Sequence, residues 1–266
     1  MHAALLAVLP ALVCQTDTTI KVQDTDEYVQ VDTDALQARI RKKGYVSGVA
    51  AGSLLDKKTG ASDVGFGLHI MDFLMAPGWR DDDYTRDAKV HGNLPKHYVE
   101  GPQICTQAKE LKPVVIRGKD FVAVKTSYQY EYAAPGRKPG SRWTQLIVFP
   151  KGERYFLLMD QIESVNDSDE MFLRNDTPGC VRHDKGDTFS EMYLSYLSGP
   201  KGLRIPASEF FTPFPPDLKF GYRRDTHRVP KHFIRAYHLR DKETGKDGPW
   251  LAGLTLDPSV VYEAWC

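Results

Sequence analysis

Long apolar runs are nearly absent from these 266 residues. The exception, Ala3 to Val13, is interrupted by Pro10; it suits the core of a signal peptide and is too short to cross a bilayer as a helix. Cysteine is scarce. Cys14, Cys105, Cys180 and Cys266 form no C-x-x-C pair and stand at no metal-ligand spacing with histidine, which argues against a zinc module. Net charge is also missing: 35 Lys+Arg balance 35 Asp+Glu, so no global field holds a polyanion by counterion release. A dedicated nucleic-acid binder is therefore not expected. The chain lacks a G-x-S-x-G elbow, a phosphate-binding G-x-x-x-x-G-K-[ST] loop, a dinucleotide fingerprint and an H-E-x-x-H pair. It has no internal repeat and no low-complexity linker.

What remains is ordinary globular composition, 41% hydrophobic and 26% charged. Residues 1–14 read as a signal-like segment and 15–266 as a single β-sandwich domain, exported to the periplasm or secreted. The last residues, Val260 to Cys266, are apolar with no polar tail. Either they form a central strand or the domain is C-terminally incomplete.

Period-two alternation dominates. In Phe121 to Tyr132, Val122, Val124, Tyr128, Tyr130 and Tyr132 share one face, and Lys125, Ser127, Gln129 and Glu131 share the other. Similar runs cover Tyr45 to Leu55, Val64 to Met75, Val114 to Arg117, Trp143 to Phe149, Tyr155 to Val165, Met171 to Arg174 and Phe189 to Leu197. Three more follow at His232 to Arg240, Trp250 to Leu256 and Val260 to Trp265, with Gly and Pro turns between runs. One short N-terminal helix is expected from Asp34 to Lys43, with Thr33 or Asp34 as cap, Leu36 and Ile40 on one face and Gly44 as stop. The fold class is all-β, an antiparallel sandwich or supersandwich with that helix.

Three stretches carry candidate chemistry. Between 219 and 240, seven cations (Lys219, Arg223, Arg224, Arg228, Lys231, Arg235, Arg240) meet the single acid Asp225. Arg223 and Arg224 could grip a carboxylate or sulfate, with Tyr222 stacking on sugar and His227 beside them; the competing reading is a solvated basic face. The second stretch, Asp160 to Glu170, has five acids and no base. Its oxygens would suit calcium, although its spacing is not an EF-hand loop and a solvated acidic turn explains it as well. No cofactor and no other metal is expected. The third, Arg174 to Glu191, gathers Arg174, Arg182, His183 and several carboxylates just before Tyr193 and Tyr196. β-Elimination on a uronic acid needs a cation on the C5 carboxylate, a base for the α proton and an acid for the leaving oxygen. Arg174 or Arg182, His183, and Tyr193 or Tyr196 meet that list. The long polar loop 76–111 adds Trp79 as a further sugar contact.

The runs Trp143 to Phe149 and Arg154 to Asp160 together resemble the paired strands of galactose-mutarotase-like β-supersandwich domains. These occur in secreted polysaccharide lyases and related carbohydrate-active proteins. The resemblance covers roughly 114–197, rests on hydrophobic pattern and on an Asp closing a strand, and implies the fold more than the function. The resulting expectation is an exported protein acting on an acidic polysaccharide or oligosaccharide, by lyase-like chemistry. The alternatives are a non-catalytic carbohydrate-binding module and a structural fragment of a larger surface protein. No membrane span is expected, and oligomeric state is left open.

Overall fold

A strand that covers a core on one side must alternate its side chains, and most of this chain does so. The computed structural model describes residues 20–45, 47–50, 52–62, 67–76, 97–98, 107–131, 133, 136–167, 172–176, 189–197, 201–209, 220–241 and 243–264. Within them the strands are β1 (Lys21–Asp24), β2 (Tyr28–Asp32), β3 (Leu36–Arg41), β4 (Gly44–Tyr45), β5 (Ser47–Ala50), β6 (Leu55–Asp56) and β7 (Gly67–Ala76). Next come β8 (His97–Tyr98), β9 (Gln107–Ala108), β10 (Val114–Arg117), β11 (Phe121–Gln129), β12 (Arg142–Pro150), β13 (Leu157–Glu163) and β14 (Phe172–Asp176). The last are β15 (Phe189–Leu194), β16 (Leu203–Pro206), β17 (Tyr222–Arg223), β18 (Phe233–Arg240), β19 (Asp247–Thr255) and β20 (Glu263–Ala264). All pairings are antiparallel. Among the described residues no helix is long and apolar enough to cross a membrane.

Two four-stranded sheets, in the orders β1-β2-β3-β6 and β10-β11-β12-β13, form the first sandwich. Val29, Val31, Leu36, Ala38 and Ile40 from one meet Val122, Val124, Ile147 and Phe149 from the other, with Val49 and Leu54 completing the core. Two polar ties cross the layers. Arg154 donates to both oxygens of Asp56, through Nε at 3.0 Å and Nη2 at 2.5 Å, and the Gly152 amide donates to Asp34 at 3.1 Å.

The helix expected from Asp34 to Lys43 is instead a hairpin arm. Leu36, Ala38 and Ile40 are buried while Gln37, Arg39 and Arg41 are half-buried, a strand pattern. Leu36 and Ile40 satisfy period two as well as i,i+4, and Ala38 between them breaks the tie. Thr33 does cap backbone amides: its Oγ1 accepts from Leu36 N at 2.8 Å and from Ala35 N at 3.1 Å. Those bonds close a two-residue β-turn, and β2 supplies the partner that an isolated helix would lack.

A second core lies under the β16-β15-β18-β19 sheet, where Phe189, Met192, Leu194, Ile205 and Phe233 pack on Tyr196, Phe220, Tyr222 and Ala264. The small β17-β20 ladder closes this core. Leu251 of β19 packs against the first core while its register partner Tyr237 packs against the second, so this sheet touches both. The remaining four-stranded sheet runs β14-β7-β5, with β8 on β7. The long strand expected over Val260 to Trp265 is shorter. Asp257 accepts from Ser259 N and the turn Pro258–Val260 is 3-10, and among the described residues it is Glu263 and Ala264 that pair with β17.

Candidate ligand-binding face

Among the described residues, the expected site residues fall in three sheets: Arg174 in β14, Tyr193 in β15, and Tyr222 with Arg223 in β17. His183, Arg182 and Trp79 lie outside the described residues, and Arg174 falls at a bulge of β14, where its register on β7 shifts. Tyr222 is fully buried, with Tyr196 and Phe233 edge-on to its ring at 5.7 and 5.4 Å. It has no face for a sugar, and burial raises the pKa of its hydroxyl. Arg223, Arg224 and His227 serve the turn after β17. Arg223 pairs with Asp225, and Arg224 Nη1 donates to Ser259 O at 2.7 Å with its guanidinium 5.6 Å from the Tyr262 ring. His227 Nδ1 accepts from Arg223 N at 3.1 Å. The formal charge of 219–240 is therefore partly absorbed by local partners. Asp247 of β19 takes Arg240 at 3.1 Å.

Asp160 of the acid-only stretch is also engaged. It accepts from the indole Nε1 of Trp143 at 2.8 Å and from Gln145 Nε2 at 3.1 Å, beneath the first sandwich's central hairpin. Among the described residues no group of three or more His, Cys, Asp or Glu side chains is placed to hold a metal.

Tyr193 does belong to a constellation, on the outer face of the β16-β15-β18-β19 sheet. Register alone assembles it: Glu191, His238 and Trp250 lie in one cross-strand row, and Arg204, Tyr193, Ala236 and Ala252 in the next. Met192, Leu194 and Ile205, one residue removed, are buried on the opposite face. His238 and Trp250 stack with ring centroids 4.7 Å apart and planes within 6°. Arg204 donates from Nε to Glu191 at 2.9 Å and from Nη2 to the other carboxylate oxygen, and its guanidinium lies 5.5 Å from the Trp250 ring centroid. His238 Nδ1 is 3.4 Å from Glu191. Ala236, small and in the same row as Arg204, lies on the path along which Arg204 reaches toward Trp250.

Arg204 holds the Glu191 carboxyl below its ordinary range, and His238 acts in the same direction. The two bonds to Glu191 use two of the five guanidinium N–H groups, and the side chain is 63% exposed, so donors remain for a ligand. Trp250 is 41% exposed and offers apolar ring surface beside them. Beyond this pair, Asp247 is held low chiefly by Arg240, with the Ser190 hydroxyl as a second donor. The face thus combines an aromatic stack, a directed cation and a carboxylate-oriented imidazole on rigid strands.

The sequence singles out Tyr193 as an acid beside His183 rather than as part of this face, and gives no signal for Arg204, His238 and Trp250 meeting it. A cross-strand row draws residues from positions some sixty apart, so no local motif announces it. The usable signal is Trp250 near the start of an apolar run that follows the turn residues Lys246-Asp247-Gly248, on what the structure shows to be an edge strand. Compared with known proteins, the chain matches no family model and no curated protein.

Proposed function

We propose that the chain is a carbohydrate-active protein that binds an acidic polysaccharide on the outer face of the β16-β15-β18-β19 sheet. The observation that carries this reading is Arg204, bonded to Glu191 yet largely exposed, beside the Trp250–His238 stack. Sugar rings present apolar C–H faces that aromatic rings cover, while a uronate carboxylate takes a guanidinium fork. An open strand surface suits an extended polymer. The resemblance to galactose-mutarotase-like domains supports the substrate class, and the apolar run Ala3 to Val13 supports export. Calorimetric titration with a panel of uronate polysaccharides tests the reading. Trp250→Ala should weaken binding at least tenfold; unchanged affinity would refute the assignment of this face.

A lyase version is favoured by one further observation: His238, oriented by Glu191, shares the face with Arg204 and Tyr193. The base would take the C5 proton, its electron pair would form the C4=C5 double bond, and the C4–O bond would break with protonation by a tyrosine. Arg204 would neutralise the carboxylate. The segment carrying His183 runs in sequence directly into β15, so His183 and His238 are rival bases. Product is read as ultraviolet absorbance of the unsaturated uronate. His238→Ala and His183→Ala should separate, one abolishing turnover with binding retained. Absence of product on every polymer leaves the binding module.

A further inference from the structure

An antiparallel sheet that covers a core with one face ordinarily turns polar side chains outward on the other. The β10-β11-β12-β13 sheet does so over half its length. At one end the outward positions are Gln129, Arg142 and Glu163, followed by Ser127 and Thr144, whose hydroxyls are 3.0 Å apart. At the other end the outward rows turn apolar. Ile116, Ala123, Val148 and Leu157 form one row across four strands, and Val114, Lys125, Leu146 and Met159 form the next. Val114, Ile116, Leu157 and Met159 are 57%, 42%, 40% and 51% exposed. The inward neighbours Val122, Val124, Ile147 and Phe149 are already buried in the sandwich core. This half of the sheet is thus apolar on both faces, as a middle layer is.

We propose that this outer half-face is the contact surface of a homodimer, in which a second copy lays the same face upon it. Two observations select a copy of the chain over other occupants. The first is charge. The turns bordering the patch carry both signs, Lys119 with Asp120 and Lys151 with Glu153, and the far end carries Arg142 opposite Glu163. A lipid surface or a polyanion calls for a rim of one sign, whereas a two-fold axis sets a mixed rim against itself. The second is extent. Four exposed aliphatic side chains, two on each edge strand with half-buried Leu146 and Val148 of β12 between them and Phe121 and Tyr155 at the margin, offer on the order of 500 Å² per copy, close to the total of about 1,000 Å² at which specific interfaces begin. Lys125, at the border of the polar half, can lay its stem on the patch and keep its ammonium in water.

Sedimentation equilibrium of the full chain, from low micromolar to several hundred micromolar, is the test. The expected result is reversible association to twice the 30.0 kDa chain mass. Met159→Asp and Ile116→Asp, outward positions that leave the core intact, should each weaken association at least tenfold, while Gln161→Asp in the polar half should leave it unchanged. Hydroxyl-radical labelling of Met159 needs no substitution and should fall as concentration rises. A monomer at every concentration overturns the proposal. So does a dimer whose affinity survives both aspartates, or Met159 labelling that does not change between monomer and dimer conditions.

Discussion

Gly202 shows how much a single residue decides. Its φ of 69° lies in the left-handed region, and a Cβ there would stand 2.5 Å from the Tyr193 ring. Gly202→Ala therefore meets both backbone strain and a collision with a residue of the proposed binding face. Thermal melts should show a loss of about 1–3 kcal/mol. Because Tyr193 must move, polysaccharide affinity should fall too, which a loss confined to stability would contradict. Trp143 is the corresponding case in the first sandwich. It is fully buried and donates to Asp160, so Trp143→Phe should cost about 2 kcal/mol by lost volume and the lost indole hydrogen bond, with Gln145 still donating to the same oxygen. Denaturant unfolding reads this directly. Both residues could be picked out of the sequence as a Gly and a Trp, but not the neighbours that make them sensitive, since those arrive from other strands.

At the scale of elements, the Asp56–Arg154 pair latches the end of β6 to the segment before β13. The Arg154 fork, aided by the Thr59 hydroxyl, lowers the Asp56 pKa from 3.8 to about 2. A carboxyl more acidic when folded contributes stability above its unfolded pKa and loses it as pH falls from about 4 through about 2. Asp56→Asn should flatten the acid limb of the stability curve in that window and change it little at neutral pH beyond a constant offset. Melting temperatures recorded across the acid range check this; an identical acid slope would show the latch to be inert. The hairpin at Thr33 carries the lesson about legibility. Leu-Gln-Ala-Arg-Ile-Arg offers Leu36 and Ile40 to a helix and to a strand alike, and its capping threonine serves both. Only the paired β2, with Val29 and Val31 buried opposite, settles the choice. Where alternation was longer, as in Phe121 to Gln129 and Arg142 to Pro150, the strands were legible because nine residues of period two fit no helix.

At the scale of the molecule, β19 borders two hydrophobic cores, one beneath the N-terminal hairpins, on which its Leu251 packs, and one beneath the candidate face, on which Tyr237, the register partner of Leu251, packs. The sheet that presents Trp250 outward thus touches both cores. Ile147→Ala, at the centre of the first core, should cost about 2–5 kcal/mol. Calorimetry should show whether the second core melts with it; a separate, unshifted transition would mean that the Leu251 contact does not couple them.

The sequence by itself determined the all-β class, the position of most strands and the zero net charge, because alternation and composition are local properties that burial enforces residue by residue. It also marked the cationic stretch and Tyr193. Which cations remain available, which tyrosine is sealed in a core and which histidine stands beside a tryptophan were decided by tertiary structure alone. Strand register brings Glu191, Arg204, His238 and Trp250 together across four strands, and the same pairing hands Arg240 to Asp247. Register is a choice among pairings made by the buried face, and the outward face inherits whatever neighbours that choice leaves it.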